Sequence, residues 1–401
     1  MALRTPTGRL GFVPVRFGDD LVGGAEMLVR ELADGLAARG RDVEILTGCT
    51  RDHFLEPDHY PPGVTVRPGE ATVRRFPSVA SRSRADRVLG NRALAAGRPL
   101  DLAAQYRWCN DDVRVPALFD HLVDHAHEYR ALVFAPYLYW TTVAGARVAP
   151  ERSVLLPCLH DEPTASLELY GRAFREVHDV WFLTDPEADL ARRLHPDLAP
   201  STVVGAGVHE PAGADADRFR ARHGIAGPFA LYAGRREAGK GFDALLDDYT
   251  TAVERHGLTL PLVLAGPGEA RIPERARAHV LDVGQIDGAE RDDAMAAATA
   301  VLQPSPYESF SRTMMEAWLG GAFVVANRAS VVSAWHCARA GAGATYADPD
   351  ELARALRRAL EPDAATDGAR GRAYVRREYT WPAVLDRVEE RLDERFPEGA
   401  G

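Results

Sequence analysis

The chain has 401 residues, more than one hydrophobic core usually covers, so two domains are expected. Its apolar content of 46% and charged content of 26% are those of a globular protein, and its formal net charge of −10 argues against a general nucleic-acid binder. The four cysteines lack metal-like spacing, and no apolar run reaches the ~20 residues that a membrane-spanning helix needs.

The first part of the chain alternates short apolar runs with amphipathic segments. The run "RLGFVPV" is followed by a segment in which Leu28, Leu32 and Leu36 recur at helical spacing, and then by "DVEILTG". This strand–helix–strand order is the unit of a parallel sheet. Further strands are predicted from "ALVFAP", "SVLLPCLHDE" and "DVWFLT".

The second part repeats this alternation after a Gly-, Ala- and Pro-rich interval, 207–227, which we expect to be a linker. Five strands are predicted from "FALYAGR", "LPLVLAGPG", "VLDVGQI", "AVLQPS" and "FVVAN". We therefore predict an α/β protein with two doubly wound, Rossmann-like domains, 1–206 and 228–375, that face an interdomain cleft. A final amphipathic helix within 376–401 is expected to pack back on the first domain.

Ligands bind doubly wound sheets at the carboxyl ends of the strands, so the loops there are the candidate sites. Two such loops belong to the first domain. Gly23 and Gly24 stand at a helix start, where backbone N–H groups attract anions, although a tight structural turn explains them equally well. His160 in "PCLHDEP" would face the cleft, but a packed loop histidine is the more common reason for such a residue.

The first loop of the second domain, "GRREAGKG", carries Arg235 and Lys240. An arginine fork and a lysine point charge suit a diphosphate, and two exposed basic residues are an equally good interpretation of this segment alone.

A later loop and helix, "PSPYESFSRTMMEAWLGG", place Glu308 before a helix start and Glu316 two turns inside the helix. The start of that helix can bind an anion through its free N–H groups. Each glutamate alone has a structural explanation, as a helix cap or a surface charge. The glycine pair, the histidine, the Arg/Lys loop and the glutamate pair all follow strands. Their combination in one chain is far less expected by chance than any one of them alone.

The chain resembles the retaining nucleotide-sugar glycosyltransferases of family four, which have the GT-B fold. The resemblance covers nearly the whole chain and is strongest from about residue 229 to 330. "GRREAGKG" is similar to the diphosphate loop of that family, and "ESFSRTMME" to its signature of two glutamates separated by seven residues. "GGAE", "HD" and "VGQI" are similar to its glycine loop, its sugar-contacting histidine and its base-reading segment.

The resemblance implies a role for each matching residue. Arg235, Lys240, Gly23 and Gly24 would lie at the phosphates, Glu308 and His160 at the transferred sugar, and Glu316 at the ribose. The remaining donor-binding positions would be Gly284, Gln285, Ile286, Ser309, Phe310, Ser311, Arg312 and Thr313. Two departures are the serine at Ser311, where many family members have glycine, and "GAGVH" in place of a more usual Asn-Gly-Val-Asp.

The expected reaction is metal-independent and needs no cofactor. Arg235, Lys240 and the helix start before Thr313 would stabilise the departing nucleoside diphosphate. We expect front-face attack with retention of configuration, because no residue is a convincing covalent nucleophile. The Asp-x-Asp triplets in "GADADR" and "ADPDEL" are not expected to hold metal.

The partners expected are a nucleotide-sugar donor, with uracil or guanine as open alternatives, and a hydroxyl-bearing acceptor: a glycan, a lipid carrier or a small natural product. Several arginines between residues 50 and 130 could meet an anionic lipid carrier or polysaccharide, although a solvated surface explains them better: Arg74, Arg75, Arg82, Arg84, Arg87 and Arg92. Because the reaction would consume nucleotide sugars, we expect the protein in the cytoplasm, with the inner face of the membrane as an alternative location. A nucleotide-sugar epimerase of the same architecture is the second hypothesis, and a non-catalytic sugar-nucleotide-binding relative is the third.

Overall fold

The computed structural model describes residues 8–21, 23–52, 58–81 and 83–397, and Arg82 lies outside them. The described residues form two compact units. The first unit comprises the chain up to Gly207 together with the segment from Trp381 onward, and the second comprises Val208–Thr380.

The first unit is built on an eight-stranded sheet in the order β3-β4-β2-β1-β5-β6-β7-β8. Only the β3–β4 pair is antiparallel. The strands are β1 Leu10–Pro14, β2 Val43–Gly48, β3 Gly63–Thr65, β4 Thr72–Phe76, β5 Ala131–Ala135, β6 Ser153–Leu155, β7 Asp179–Phe182 and β8 Ser201–Val203. The helices are α1 Gly24–Ala38, α2 Ala85–Ala95, α3 Leu102–Asn110, α4 Pro116–His125, α5 Trp140–Gly145, α6 Glu168–Glu176 and α7 Asp185–Leu194, with short 3₁₀ turns at Ala126–Glu128 and Pro150–Arg152.

The second unit is built on a six-stranded, all-parallel sheet in the order β11-β10-β9-β12-β13-β14. Its strands are β9 Ala230–Ala233, β10 Leu262–Ala265, β11 Val280–Gly284, β12 Ala300–Gln303, β13 Phe323–Asn327 and β14 Ala344–Tyr346. Its helices are α8 Ala216–His223, α9 Phe242–His256, α10 Gly288–Ala297, α11 Arg312–Gly320, α12 Val331–Ala340, α13 Pro349–Arg358 and α14 Ala364–Glu378, with 3₁₀ turns at Ala238–Lys240 and Glu274–His279. The last helix of the chain, α15 Trp381–Arg395, belongs to the first unit.

The central strands of both sheets are buried along their whole length. Every residue of β1, β2 and β5 is buried, as is every residue of β9, β10 and β12. Helices cover both faces of a doubly wound parallel sheet, which is why these strands are continuous apolar runs rather than alternating ones. The predicted pair of doubly wound, Rossmann-like sheets is confirmed. Among the described residues, no helix combines the length and the apolar character needed to cross a bilayer.

Each sheet has one point where the strand order reverses. In the first unit the chain builds β2 and β4 to one side of β1 and then returns to place β5 on the other. In the second unit the corresponding reversal lies between β9 and β12. The loops that follow these strands therefore diverge at the reversal, and the crevice between them is where open α/β sheets bind ligands.

The interval 207–227, predicted as a linker, contains a helix. Asp215 caps α8 by accepting hydrogen bonds from the N–H groups of Asp217 and Arg218. Arg218 reaches Asp293 on α10 with its Nε 2.5 Å from the carboxylate. This segment therefore packs as part of the second unit.

The final helix, α15, packs on the rest of the first unit through hydrogen bonds from buried arginine side chains. Arg391 donates two hydrogen bonds, of 2.7 and 2.5 Å, to the fully buried carboxylate of Asp179 in β7. Arg130, 5% exposed in its side chain, donates to the carbonyls of Leu392 and Phe396 at the helix end. Arginine here satisfies both a buried charge and the unpaired carbonyls of a helix terminus.

Replacement of Arg391 by methionine is expected to lower the free energy of unfolding by about 3 kcal/mol, because Asp179 would keep a buried charge without its main partner. Chemical denaturation measures this. Glu394→Ala is the matched control, since it removes the exposed partner of the same arginine. A loss in Arg391→Met no larger than in the control would contradict the account.

Candidate active site

The loops after β9 and β12 touch at the reversal point of the second sheet. Gly241, with φ +68°, ends the 3₁₀ turn after β9, and a Cβ built on it would lie 2.4 Å from the carbonyl oxygen of Pro304. Pro304 follows β12, and its carbonyl also accepts a hydrogen bond of 2.9 Å from Asn327. Only glycine allows both this backbone conformation and this approach.

This contact brings together two predicted site residues that are 68 positions apart. Lys240 precedes Gly241, and its Nζ lies 2.9 Å from Oε1 of Glu308. The Glu308 side chain is 11% exposed and that of Lys240 36% exposed. An ammonium group and a largely buried carboxylate therefore form the centre of the candidate site.

The two consecutive arginines after β9 have different environments. Arg236 is buried, with its Nη1 2.8 Å from the Asp282 carboxylate and 3.1 Å from the carbonyl of Gly268. Arg235, the predicted one, is half exposed and lies 3.2 Å from Glu237. Arg236 thus links the loop after β9 to the loop after β10 and to strand β11, whereas the Arg235 side chain is about half exposed to solvent.

The loop before α11 turns through a left-handed residue. Ser311 has φ +67° and is 2% exposed, and its Oγ accepts a 2.6 Å hydrogen bond from Gln303 of β12. This conformation favours glycine, which explains why glycine is common at this position in the resembling family. Ser311 keeps the conformation with the help of Gln303. The first N–H groups of α11, at Arg312 and Thr313, point out of the helix start.

Glu316 lies between two arginines. Nε of Arg312 is 2.9 Å from its Oε1, and Nη2 of Arg291 is 2.5 Å from its Oε2. Arg291 also donates to Oγ1 of Thr313 at 3.1 Å. Sequence reasoning missed Arg291, because its position on α10 gives no local sign that it will reach α11. Its effect is to hold Glu316 and the first turn of α11 in one arrangement.

An aromatic cluster supports the loop that carries Glu308. Phe310 packs edge-on against His336 and Tyr379, with ring centroids 5.7 and 5.0 Å apart. His336 Nδ1 lies 2.9 Å from the hydroxyl of Tyr374, and burial lowers the pKa of His336 to about 3. The imidazole is therefore neutral at physiological pH.

Three predicted residues lie at the carboxyl edge of the first sheet. Gly23 is the N-cap of α1, with an ordinary extended conformation, and Gly24 is the first residue of that helix. His160 follows β6; its Nδ1 is 3.9 Å from Glu162, whose carboxylate accepts a 2.7 Å hydrogen bond from Tyr137. The structure thus places these three residues on one edge of one sheet.

A buried carboxylate that sequence reasoning missed fixes the start of the His160 loop. Glu187 is 1% exposed and accepts hydrogen bonds of 2.6 Å from the N–H groups of Leu159 and Leu183. Burial raises the pKa of this carboxyl group. Thr184, three residues earlier, caps α7 by accepting from the Glu187 N–H, and this Thr-x-x-Glu spacing is the only sequence sign of the arrangement.

The remaining predicted residues are placed as follows. Gly284 ends β11 with φ +73°, and its carbonyl accepts a 2.8 Å hydrogen bond from Gly266 after β10. Gln285 and Ile286 follow it at the same edge. The two Asp-x-Asp triplets are helix starts, since Asp215 caps α8 and Asp348 caps α13.

Comparison with known proteins indicates the family. Residues 227–362 match the family model described as "Glycosyl transferases group 1". The chain is 27% identical to D-inositol 3-phosphate glycosyltransferase of Acidothermus cellulolyticus, over 91% of this chain and 84% of that protein. The chain is a glycosyltransferase with a group 1 domain in its second unit.

Two further similarities agree with this. The glycosyltransferase is 27% identical to a phosphatidyl-myo-inositol mannosyltransferase of Mycobacterium tuberculosis, over 95% of each chain. Its fold matches that of Anabaena HepE, solved in complex with UDP, with a TM-score of 0.70 at 18% identity over 96% of this chain and all of the other. The resemblance to family four, the GT-B fold and the prediction of a hexosyltransferase are therefore confirmed.

Gly241→Ala should separate the loops after β9 and β12 and lower the free energy of unfolding by about 2 kcal/mol, from the left-handed conformation and the clash with Pro304. Gly239→Ala is a control in the same loop, because a Cβ there meets nothing within 4 Å. Urea denaturation of both variants measures the difference. Equal stability of the two would contradict the close approach.

Buried His336 predicts a loss of stability in mild acid. Its pKa falls from 6.5 to about 3 on folding, so the unfolded chain binds more protons between these values and stability falls as pH falls. Between pH 6.5 and 5, proton uptake by His336 in the unfolded chain lowers the free energy of unfolding by about 2 kcal/mol. Denaturation of wild type and His336→Gln at both pH values tests this, with His127→Gln, an exposed histidine, as control. An unchanged pH dependence in His336→Gln would refute it.

Proposed function

We propose that this glycosyltransferase moves a hexose-type sugar from a UDP- or GDP-sugar to a hydroxyl acceptor with retention of configuration, without metal. The observation that carries the proposal is the contact between Lys240 and Glu308 at the reversal point of the second sheet, beside the start of α11. A cation, a carboxylate and the start of a helix in one crevice match the needs of a departing diphosphate and a sugar.

The diphosphate would be held by Lys240, Arg235 and the N–H groups of Arg312 and Thr313. As the bond between sugar and phosphate breaks, negative charge grows on the phosphate oxygens, and donors already aimed at that position stabilise the transition state. Lys240 is paired with Glu308, so a bound phosphate would compete with this carboxylate for its ammonium group.

Glu308 would accept hydrogen bonds from hydroxyls of the transferred sugar. Its carboxylate is largely buried and lies 2.9 Å from the ammonium group of Lys240. Glu316 would accept from the ribose hydroxyls, with Arg291 and Arg312 fixing its orientation. Since no side chain is a convincing covalent nucleophile, a phosphate oxygen of the donor would take the proton of the acceptor as it attacks from the same face.

The names of similar proteins support the class of the donor but not its base. One relative is named a mannosyltransferase, and one protein with the same fold was solved with UDP. These names favour a nucleoside diphosphate hexose and leave the base open between uracil and guanine. An epimerase of the same architecture is less favoured, because the chain matches the group 1 glycosyltransferase model over 227–362.

The deciding experiment measures nucleoside diphosphate release from UDP-glucose and GDP-mannose, with and without a divalent-metal chelator, and the anomeric configuration of the product by NMR. Glu308→Gln is expected to lower kcat by about 10²–10³-fold while nucleoside diphosphate still binds, because the lost contacts are those of the sugar. Lys240→Met should impair both binding and turnover.

Glu237→Gln is the matched control, as it removes an exposed carboxylate from the same loop as Lys240. Near-normal turnover in Glu308→Gln would refute the assigned sugar contact. Activity that depends on added metal would refute the account of the leaving group, and an isomerised sugar nucleotide as the only product would favour the epimerase.

A further inference from the structure

A pocket of about 480 Å³ lies in the first unit, among α3, α4 and α5. Its walls include three aromatic side chains, Tyr106, Phe119 and Trp140, and small apolar residues such as Ala144. The rings of Phe119 and Trp140 are 6.4 Å apart. Pockets that bind small molecules have this volume and this predominantly apolar lining.

The order of the strands puts this pocket beside the predicted site residues of the first unit. Trp140 begins α5 immediately after the loop that follows β5. In the sheet, β5 lies between β1 and β6, whose following loops carry Gly23 and His160. The carboxyl ends of these three parallel strands share one edge, so Trp140, at the start of α5, places one end of the pocket near that edge.

Direct contacts link the loop after β5 to both neighbours. The Tyr137 hydroxyl donates to Glu162, whose carboxylate also lies 3.9 Å from His160. Tyr139 is close enough to the carboxylate of Glu26, in the first turn of α1, for that charge to contribute to its raised pKa, after the larger effect of burial. A ligand held against Trp140 would therefore lie beside the loop after β5, which contacts the loop of His160 through Tyr137 and lies near the start of α1, after Gly23, through Tyr139.

The charges around the pocket are already paired. Arg147 in its lining donates to the Glu176 carboxylate at 2.8 Å and to the Tyr106 hydroxyl at 3.0 Å. The pocket therefore presents an apolar and aromatic interior with no unpaired arginine charge, and this favours an uncharged occupant.

Three of the six arginines that could have suggested an anionic acceptor, Arg74, Arg75 and Arg87, are engaged within the unit. Arg74 lies 2.8 Å from the buried carboxylate of Glu44, and Arg87 lies 3.2 Å from that of Asp112 and over the Trp108 ring. Arg75 donates to the Phe17 carbonyl, and burial lowers its pKa. These three side chains thus serve internal partners rather than a cationic docking surface.

We propose that the pocket holds the apolar body of the acceptor, a compact, uncharged aromatic or alicyclic molecule that bears a hydroxyl group. This inference rests on the proposed function and specifies its acceptor class. The ring faces of Phe119 and Trp140 would contact the body, and the hydroxyl would project past Trp140 towards the edge that carries His160. A volume of 480 Å³ suits a small molecule rather than a polymer chain.

The test uses the full chain and three uncharged probes: 2-naphthol, 4-methylumbelliferone and borneol. Calorimetry measures their binding, and mass spectrometry detects their glycosides in the presence of UDP-glucose or GDP-mannose. Ala144→Trp fills the pocket from its partly exposed side, and Ala103→Trp, on the exposed face of α3, is the matched control. We expect at least one probe to bind and to be glycosylated by wild type, with KM raised about tenfold or more in Ala144→Trp only.

Affinity for UDP and GDP is measured in parallel, and in Ala144→Trp it should stay within about threefold of wild type, because none of the residues proposed to bind the nucleotide lines the pocket. Nucleotide binding without binding of any probe would overturn the acceptor assignment and leave the proposed function standing. Probe binding without glycosylation, while the donor still turns over, would also overturn it, as would probe transfer equal in Ala144→Trp and wild type. Failure to bind any nucleotide would overturn the proposed function and the inference with it.

Discussion

The candidate site depends on the contact between Gly241 and the carbonyl of Pro304. Because no Cβ stands between them, the loops after β9 and β12 can meet, and Lys240 comes within hydrogen-bond distance of Glu308. The parallel order of the sheet brings the two strands side by side, and the reversal of strand order at that point leaves room beside the loops. A crevice with opposite charges follows from these two constraints.

The charged groups of the site are arranged as mutually supporting pairs. Glu308 is held by Lys240, and Glu316 by Arg291 and Arg312, while Arg236 links the loop after β9 to the loop after β10 and to strand β11. A carboxylate of low exposure is stable only when a cation or several donors compensate it. The same pairing keeps the carboxylates oriented before any ligand binds, which is how a protein limits the reorganisation that a bound substrate would otherwise require.

In the first unit, hydrogen bonds to buried groups position the loops at the carboxyl edge of the sheet. A buried carboxylate, Glu187, holds the backbone before His160, and Tyr137 links the loop after β5 to that after β6. The apolar pocket next to Trp140 is lined by residues of α3, α4 and α5 and of the turn that follows α5. Packed helices of this kind suit the proposed acceptor site, since transfer depends on a hydroxyl held at the right distance.

The sequence alone determined the fold class and several candidate residues. Apolar runs at regular intervals predicted two parallel sheets, and the loops after strands pointed to Lys240, Glu308 and Glu316, because hydrophobic periodicity and strand ends are local properties. Only the tertiary structure decided that Arg291 reaches Glu316, that Arg236 is buried while Arg235 is exposed, and that α3, α4 and α5 enclose a pocket. These facts depend on which distant segments pack together, and no pattern within a single segment carries that information.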